Sequence, residues 1–131
     1  MSKLIYFVDD DKMILNLLEY TFSSRDNYEV KTFRTGEDFL NSLDNNPDLI
    51  VLDHSFVLAH TASKYTNGLE ILHKIREKNS SVPVIALSGE HNEEIINEYI
   101  IKGATKFILK DSYFIDSLIE SIDEVFSEAE G

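Results

Sequence analysis

Apolar positions along the chain fall into two alternating kinds of segment. Short runs rich in β-branched and aromatic residues recur at Leu4–Val8, Tyr28–Phe33, Leu49–Leu52, Val82–Leu87 and Lys106–Leu109, and each predicts a strand. Four are continuously apolar, the pattern of parallel strands covered by helices on both faces. The second, with Glu29 and Lys31, alternates and suits a sheet edge. Between the runs, apolar residues recur at helical spacing: Ile14, Leu17, Leu18 and Phe22; Phe39, Leu40 and Leu43; Leu69, Leu72 and Ile75; Ile95, Ile96, Tyr99 and Ile100; Ile115, Leu118, Ile119, Ile122 and Phe126. Thr35 is placed to cap the second helix and Gly103 to end the fourth in a left-handed turn. Pro47 and Pro83 sit where a missing N–H costs little. Five βα units in strict alternation predict an α/β domain, a five-stranded parallel sheet doubly wound by five helices, because right-handed crossovers put helices on both faces.

Composition narrows the function without changing that picture. The 131 residues are 43% hydrophobic, with 8 Phe and 6 Tyr, which is the make-up of one packed core rather than of a disordered acidic tail. A formal charge of −12 disfavours nucleic acid and anionic lipid as direct partners, since both require a basic surface. With no cysteine there is neither a disulfide framework nor a thiolate metal site, consistent with the cytoplasm. The first apolar run is too short for a secretory or membrane-spanning segment. No repeat or linker divides the chain, and it stops about where the fifth helix should end. The expectation is a single domain over residues 1–131, with no output domain attached.

Ligands of such sheets bind beyond the carboxyl ends of the strands. The residues there are Asp9, Asp10 and Asp11 after the first strand, Asp53 after the third, Ser88 after the fourth and Lys110 after the fifth. Each alone has an ordinary reading as a helix cap, a turn residue or a surface lysine; their joint placement is what carries weight. Carboxylates gathered this closely raise one another's pKa unless a cation joins them, and an all-oxygen cluster suits a hard ion such as Mg²⁺.

In the order and spacing of IYFVDDDKMILNLL, PDLIVLD, GLEILHKIR, PVIALSG and GATKFILK, the sequence resembles the receiver domain of response regulators over nearly its whole length. The resemblance implies a flavodoxin-like sheet of order 2-1-3-4-5. It implies that Asp9 and Asp10 are the acidic pair, with Asp10 the more direct metal ligand, and that Asp53 is both phosphoacceptor and ligand. Ser55 would contribute its backbone carbonyl to the metal, which is Mg²⁺ or, in its place, Mn²⁺. Lys110 and Ser88 would contact the phosphoryl group, and Ser88 and Phe107 would switch the face formed by the fourth helix, fifth strand and fifth helix. A sensor histidine kinase or histidine phosphotransfer protein would be the donor and a separate downstream protein the reader. The chain would then be a switch, catalysing only its own phosphorylation and slow dephosphorylation.

The sequence departs from the family pattern in two places. Gly68 lies further from Asp53 than the matching glycine of typical receivers, so HSFVLAHTASKYTN, from His54 to Asn67, is an insertion beside the site. Asp111 follows Lys110 where proline is usual, so the lysine backbone is expected to be held less rigidly. Ser55 and Glu90 occupy positions that tune loss of the phosphoryl group in the family. His54, His60, His73 and His91 lack ligand spacing and are assigned no metal.

Two other readings remain open. Asp9-x-Asp11 after a strand, with a later serine and lysine, also resembles haloacid-dehalogenase-type phosphatases, with Asp9 as nucleophile. Against this, Met13 stands at the usual Thr/Val position and Asp53 is left without a role. Alternatively, the fold is a binding module without phosphotransfer, if the insertion covers Asp53.

Overall fold

The computed structural model describes residues 2–54, 68–89 and 92–130. The elements run β1 (Lys3–Val8), α1 (Lys12–Ser23), β2 (Tyr28–Phe33), α2 (Gly36–Asn41), a 3-10 turn (Leu43–Asn45), β3 (Leu49–Asp53), α3 (Gly68–Lys78), β4 (Val84–Ser88), α4 (Glu93–Ile101), β5 (Lys106–Leu109) and α5 (Phe114–Glu130). All strand pairs are parallel, in the order β2-β1-β3-β4-β5, as the alternation and the family resemblance together predict.

The continuous apolar strands divide their side chains between two cores because successive residues point to opposite faces. Ile5, Phe7, Leu49, Val51, Ile85 and Leu87 pack beneath α1 and α5, against Leu18, Phe22, Leu118 and Ile122. Tyr6, Val8, Ile50, Leu52, Val84 and Ala86 pack on the other face, against Phe39, Ile71, Leu72, Ile75 and Tyr99 of α2, α3 and α4. Each buried Leu, Ile or Phe contributes about 1.5–3 kcal/mol of transfer free energy, so both faces hold the sheet firmly.

The punctuation behaves as predicted at two points. Thr35 Oγ1 accepts from Asp38 N at the start of α2, and Gly103 takes φ 104° after α4. β4 begins two residues later than its apolar run, because Asn79 Oδ1 accepts from the N–H groups of Ser81 and Val82 and holds them in a turn. β3 runs one residue further, through Asp53, which pairs with Leu87.

The helix stripes are phased differently from prediction in two helices. In α1 the buried positions are Leu15, Leu18 and Phe22, while Leu17 is 45% exposed. In α4 only Tyr99 is buried; Ile95 and Ile96 are half-buried, and Ile100 and Ile101 face solvent. Both helices carry more apolar residues than one buried stripe holds, and the surplus lies outside. No helix among the described residues is long and apolar enough to cross a membrane.

Candidate functional site

β1 and β3 are neighbours although α1, β2 and α2 separate them in sequence, so the winding direction reverses between them. A crevice opens at the carboxyl ends of strands at such a point. Asp9 follows β1 and Asp53 ends β3 at this crevice. Ser88 ends β4, in register with Leu109 of β5, one residue before Lys110. The buried polar residues among those described are Asp9, Asp53 and Ser88, all at this end of the sheet.

Buried carboxylates are tolerated only when paired. Asp9 Oδ2 accepts from Lys110 Nζ at 2.8 Å, and Asp53 Oδ1 accepts from the same ammonium at 3.2 Å. Asp9 Oδ1 also accepts from Asp11 N at 2.9 Å, which fixes its rotamer. Burial alone would lower the Lys110 pKa, but the hydrogen bond to Asp9 and the negative charges of Asp53 and Asp9 outweigh it and raise the value. The lysine is therefore firmly protonated. Its backbone N–H donates to the Ser88 carbonyl at 2.7 Å, carrying the β4–β5 ladder to the site. Asp111, in the place where proline was expected, accepts from Tyr113 N at 2.8 Å and starts the turn into α5.

Asp9, Asp10 and Asp53 each present a carboxylate oxygen, and these oxygens all lie within 4.8 Å of one another. Asp10 is solvent-exposed at the mouth of the site, yet partial desolvation and then the charge of Asp9 raise its pKa. Three carboxylates gathered this closely form an all-oxygen donor set of the kind a divalent oxygen-seeking cation takes. The third residue of the acidic run is separate from this group: Asp11 caps α1, accepting from Met13 N at 2.9 Å and Ile14 N at 3.4 Å.

Two further residues meet at the site, neither of them assigned a role there from the sequence. His54 directly follows Asp53; its Nδ1 and the Tyr99 hydroxyl lie 2.6 Å apart and share a hydrogen bond whose direction follows the imidazole tautomer. The Tyr99 ring also packs on Phe107, with centroids 5.7 Å apart. Burial, and then the charges of Asp53 and Glu98, push the Tyr99 pKa up, so the phenol stays protonated. Gly68 explains itself in space: a Cβ there would overlap the Tyr99 hydroxyl and come within 3.0 Å of the Asp53 carbonyl and 3.1 Å of His54 Cα. Phe107, half-buried, lies opposite Ala86. Ser55, Glu90 and residues 55–67 of the insertion lie outside the described residues, as do His60 and His91. His73 sits on the exposed side of α3, 3.9 Å from Glu77.

Comparison with known proteins agrees with this geometry. A family model described as the response regulator receiver domain matches residues 5–123. The alkaline phosphatase synthesis transcriptional regulatory protein PhoP of Bacillus subtilis is 32% identical over 94 residues, covering 71% of this chain and 36% of that protein. The nitrate/nitrite response regulator NarL of Escherichia coli K12 is 31% identical over 111 residues, 82% of this chain and 47% of that protein. The chain thus spans less than half the length of these two relatives. Among solved structures, a CheY-like receiver domain protein from Methanospirillum hungatei superposes with a TM-score of 0.83 at 26% identity, covering 99% and 98% of the two chains. The BeF3-activated receiver domain of DrrB, a Thermotoga maritima OmpR/PhoB homolog, superposes with a TM-score of 0.80 at 29% identity, covering 97% and 99%. The chain belongs to the response regulator receiver domain family, whose members serve two-component systems and typically use Mg²⁺.

Proposed function

We propose, from this family membership, that the chain is a phosphorylation switch in which Asp53 takes a phosphoryl group from the phosphohistidine of a sensor kinase or phosphotransfer protein. The observation that carries the reading is the Lys110 ammonium bonded to both Asp9 and Asp53, with Asp10 alongside. In the proposed step an Asp53 carboxylate oxygen attacks phosphorus. The P–N bond to the donor imidazole breaks, and the imidazole leaves with the bonding pair and takes up a proton.

The nucleophile and the transferring group are both anionic, so catalysis here is mostly charge compensation and alignment. Asp9, Asp10 and Asp53 would hold Mg²⁺ or Mn²⁺, and the Ser55 carbonyl would complete the set. Bound there, the ion supplies neutralisation of the charge on the phosphoryl oxygens. Lys110 is within reach of Asp53 and would bring its ammonium charge toward the same oxygens. Ser88, buried at the end of the adjacent strand, would donate its hydroxyl to the acyl phosphate once formed and draw Phe107 inward. Rearrangement of the α4–β5–α5 face would then be read by a downstream protein, and activity would be confined to self-phosphorylation and slow loss of the group. This is cytoplasmic chemistry in its donors.

Incubation with Mg²⁺ and acetyl phosphate, followed by mapping of the modified residue by mass spectrometry, tests the proposal. Label on Asp53 that is lost in Asp53→Asn is the expected result. Label on Asp9 would indicate the phosphatase chemistry, and no label with any donor would leave an inert binding module.

A further inference from the structure

Tyr99 meets three parts of the molecule at once: His54 beside the phosphoacceptor, Gly68 at the start of α3 and Phe107 of β5. It is fully buried on the inner face of α4. Its hydroxyl is held by His54 Nδ1 at 2.6 Å, and its ring meets the His54 ring edge-on, centroids 5.4 Å apart at 80°. Gly68 lies directly beneath the hydroxyl, where even a methyl group would collide, so the ring cannot shift toward the end of β3. The same ring also rests against Phe107, centroids 5.7 Å apart.

That placement has a mechanical consequence. Phe107 is only half-buried, and the interior between β5 and α4 into which it would rotate is filled by Tyr99. With Gly68 closing the way toward the end of β3, Tyr99 can make room only by leaving His54 and carrying α4 with it. The His54–Tyr99 bond is made while Phe107 is half-buried and packed against the Tyr99 ring, so the bond belongs to an arrangement in which Phe107 is not fully turned in. We propose that the His54–Tyr99 hydrogen bond is a latch that opposes switching: activation at Asp53 must break it before Phe107 turns inward and α4 moves. Tyr99 and His54 are thus positioning residues that set how readily the site activates. The inference rests on the reading of Asp53 as phosphoacceptor and of Phe107 as the switch residue.

Linkage fixes the sign of the test. A bond made only in the unswitched state lowers affinity for any ligand that selects the switched one, and removing it raises that affinity by the same factor. The probe is beryllofluoride, titrated with Mg²⁺ present into the full chain and followed by NMR amide shifts. Tyr99→Phe keeps the ring and removes the hydroxyl. It is expected to bind beryllofluoride about 2- to 10-fold more tightly than the wild type, the factor associated with one net hydrogen bond. A purely structural tyrosine would instead lower the melting temperature without tightening the ligand. In a Phe107→Ala background the gain from Tyr99→Phe should vanish, because the latch then has nothing to hold out. Wild-type binding with affinity unchanged or weakened in Tyr99→Phe overturns the latch and leaves the Asp53 reading intact. A gain that persists undiminished without Phe107 overturns the proposed route through that residue. Failure of the wild type to bind beryllofluoride at Asp53 removes the phosphoacceptor reading and the latch with it.

Discussion

Replacing Gly68 with alanine adds one methyl group at the most crowded point beside the site. The new Cβ would overlap the Tyr99 hydroxyl and press on the Asp53 carbonyl at 3.0 Å and on His54 Cα at 3.1 Å. Two of these neighbours are backbone at the end of a buried strand. The third ends a ring that is fully buried between His54 and Phe107, so none can swing aside. Overpacking of this kind costs about 1–3 kcal/mol. Alanine recovers about 0.4–1 kcal/mol through the less flexible unfolded chain, which leaves a net loss of about 1–2 kcal/mol. For a domain of this size that is a fall in melting temperature of about 3–8 °C. Differential scanning calorimetry, with urea unfolding as a second measure, reads it directly. Adding Tyr99→Phe removes the closest colliding atom, so the double variant should recover part of the loss relative to Tyr99→Phe alone. A Gly68→Ala chain that melts at or above the wild type would refute the reasoning, and so would a double variant showing no such coupling.

Two further expectations follow from the charges. Because desolvation and Asp9 raise the Asp10 pKa, protons compete with a divalent ion there. Stabilisation by Mg²⁺ should grow by about 1.4 kcal/mol for each tenfold rise in concentration well above Kd, and should shrink as pH falls toward the carboxylate range. It should be largely lost in Asp10→Asn, and thermal shifts equal in both chains would count against the acidic site. At the far end of the sheet, burial and then the hydrogen bond to Asp123 push the Tyr28 pKa up to about 12 from an ordinary 10.0. The folded chain therefore holds that proton more tightly. The resulting stability is fully present below pH 10.0 and is lost as pH rises through about 12. Urea midpoints between those values should fall more steeply for the wild type than for Tyr28→Phe; parallel curves would contradict the shift.

The strands and their order of alternation were legible because each strand is written locally. A run buried on both faces must be apolar at every position, and Leu49–Leu52 can hardly be anything else. Helix faces were less legible. Residues 14 to 18 of α1, ILNLL, offer apolar side chains on more than one side of the helix. Only the docked sheet decides that Leu15 and Leu18 go inside and Leu17 stays out. The same surplus in IINEYII leaves Ile100 and Ile101 in solvent while Tyr99, the one aromatic, takes the core. Periodicity predicts that a helix exists and leaves its rotation to tertiary packing.

The site divides in the same way. Asp9, Asp53, Ser88 and Lys110 could be found because each ends or directly follows a strand, and the winding rule gathers strand ends at one place without knowledge of any side-chain contact. Asp11 follows the same strand as its neighbours, and its position ahead of α1, where its carboxylate caps two backbone amides, gives the physical reason it stands apart from the acidic pair. His54 and Tyr99 carried no such mark. One begins an insertion and the other sits in an apolar helical stripe, and their pairing across 45 residues depends on how β3 and α4 lie against each other. A glycine at position 68 was the available signal. Glycine leaves room where another group comes close, and here the Tyr99 hydroxyl does. Departures from local preference of this kind are where long-range contacts leave a trace in a sequence.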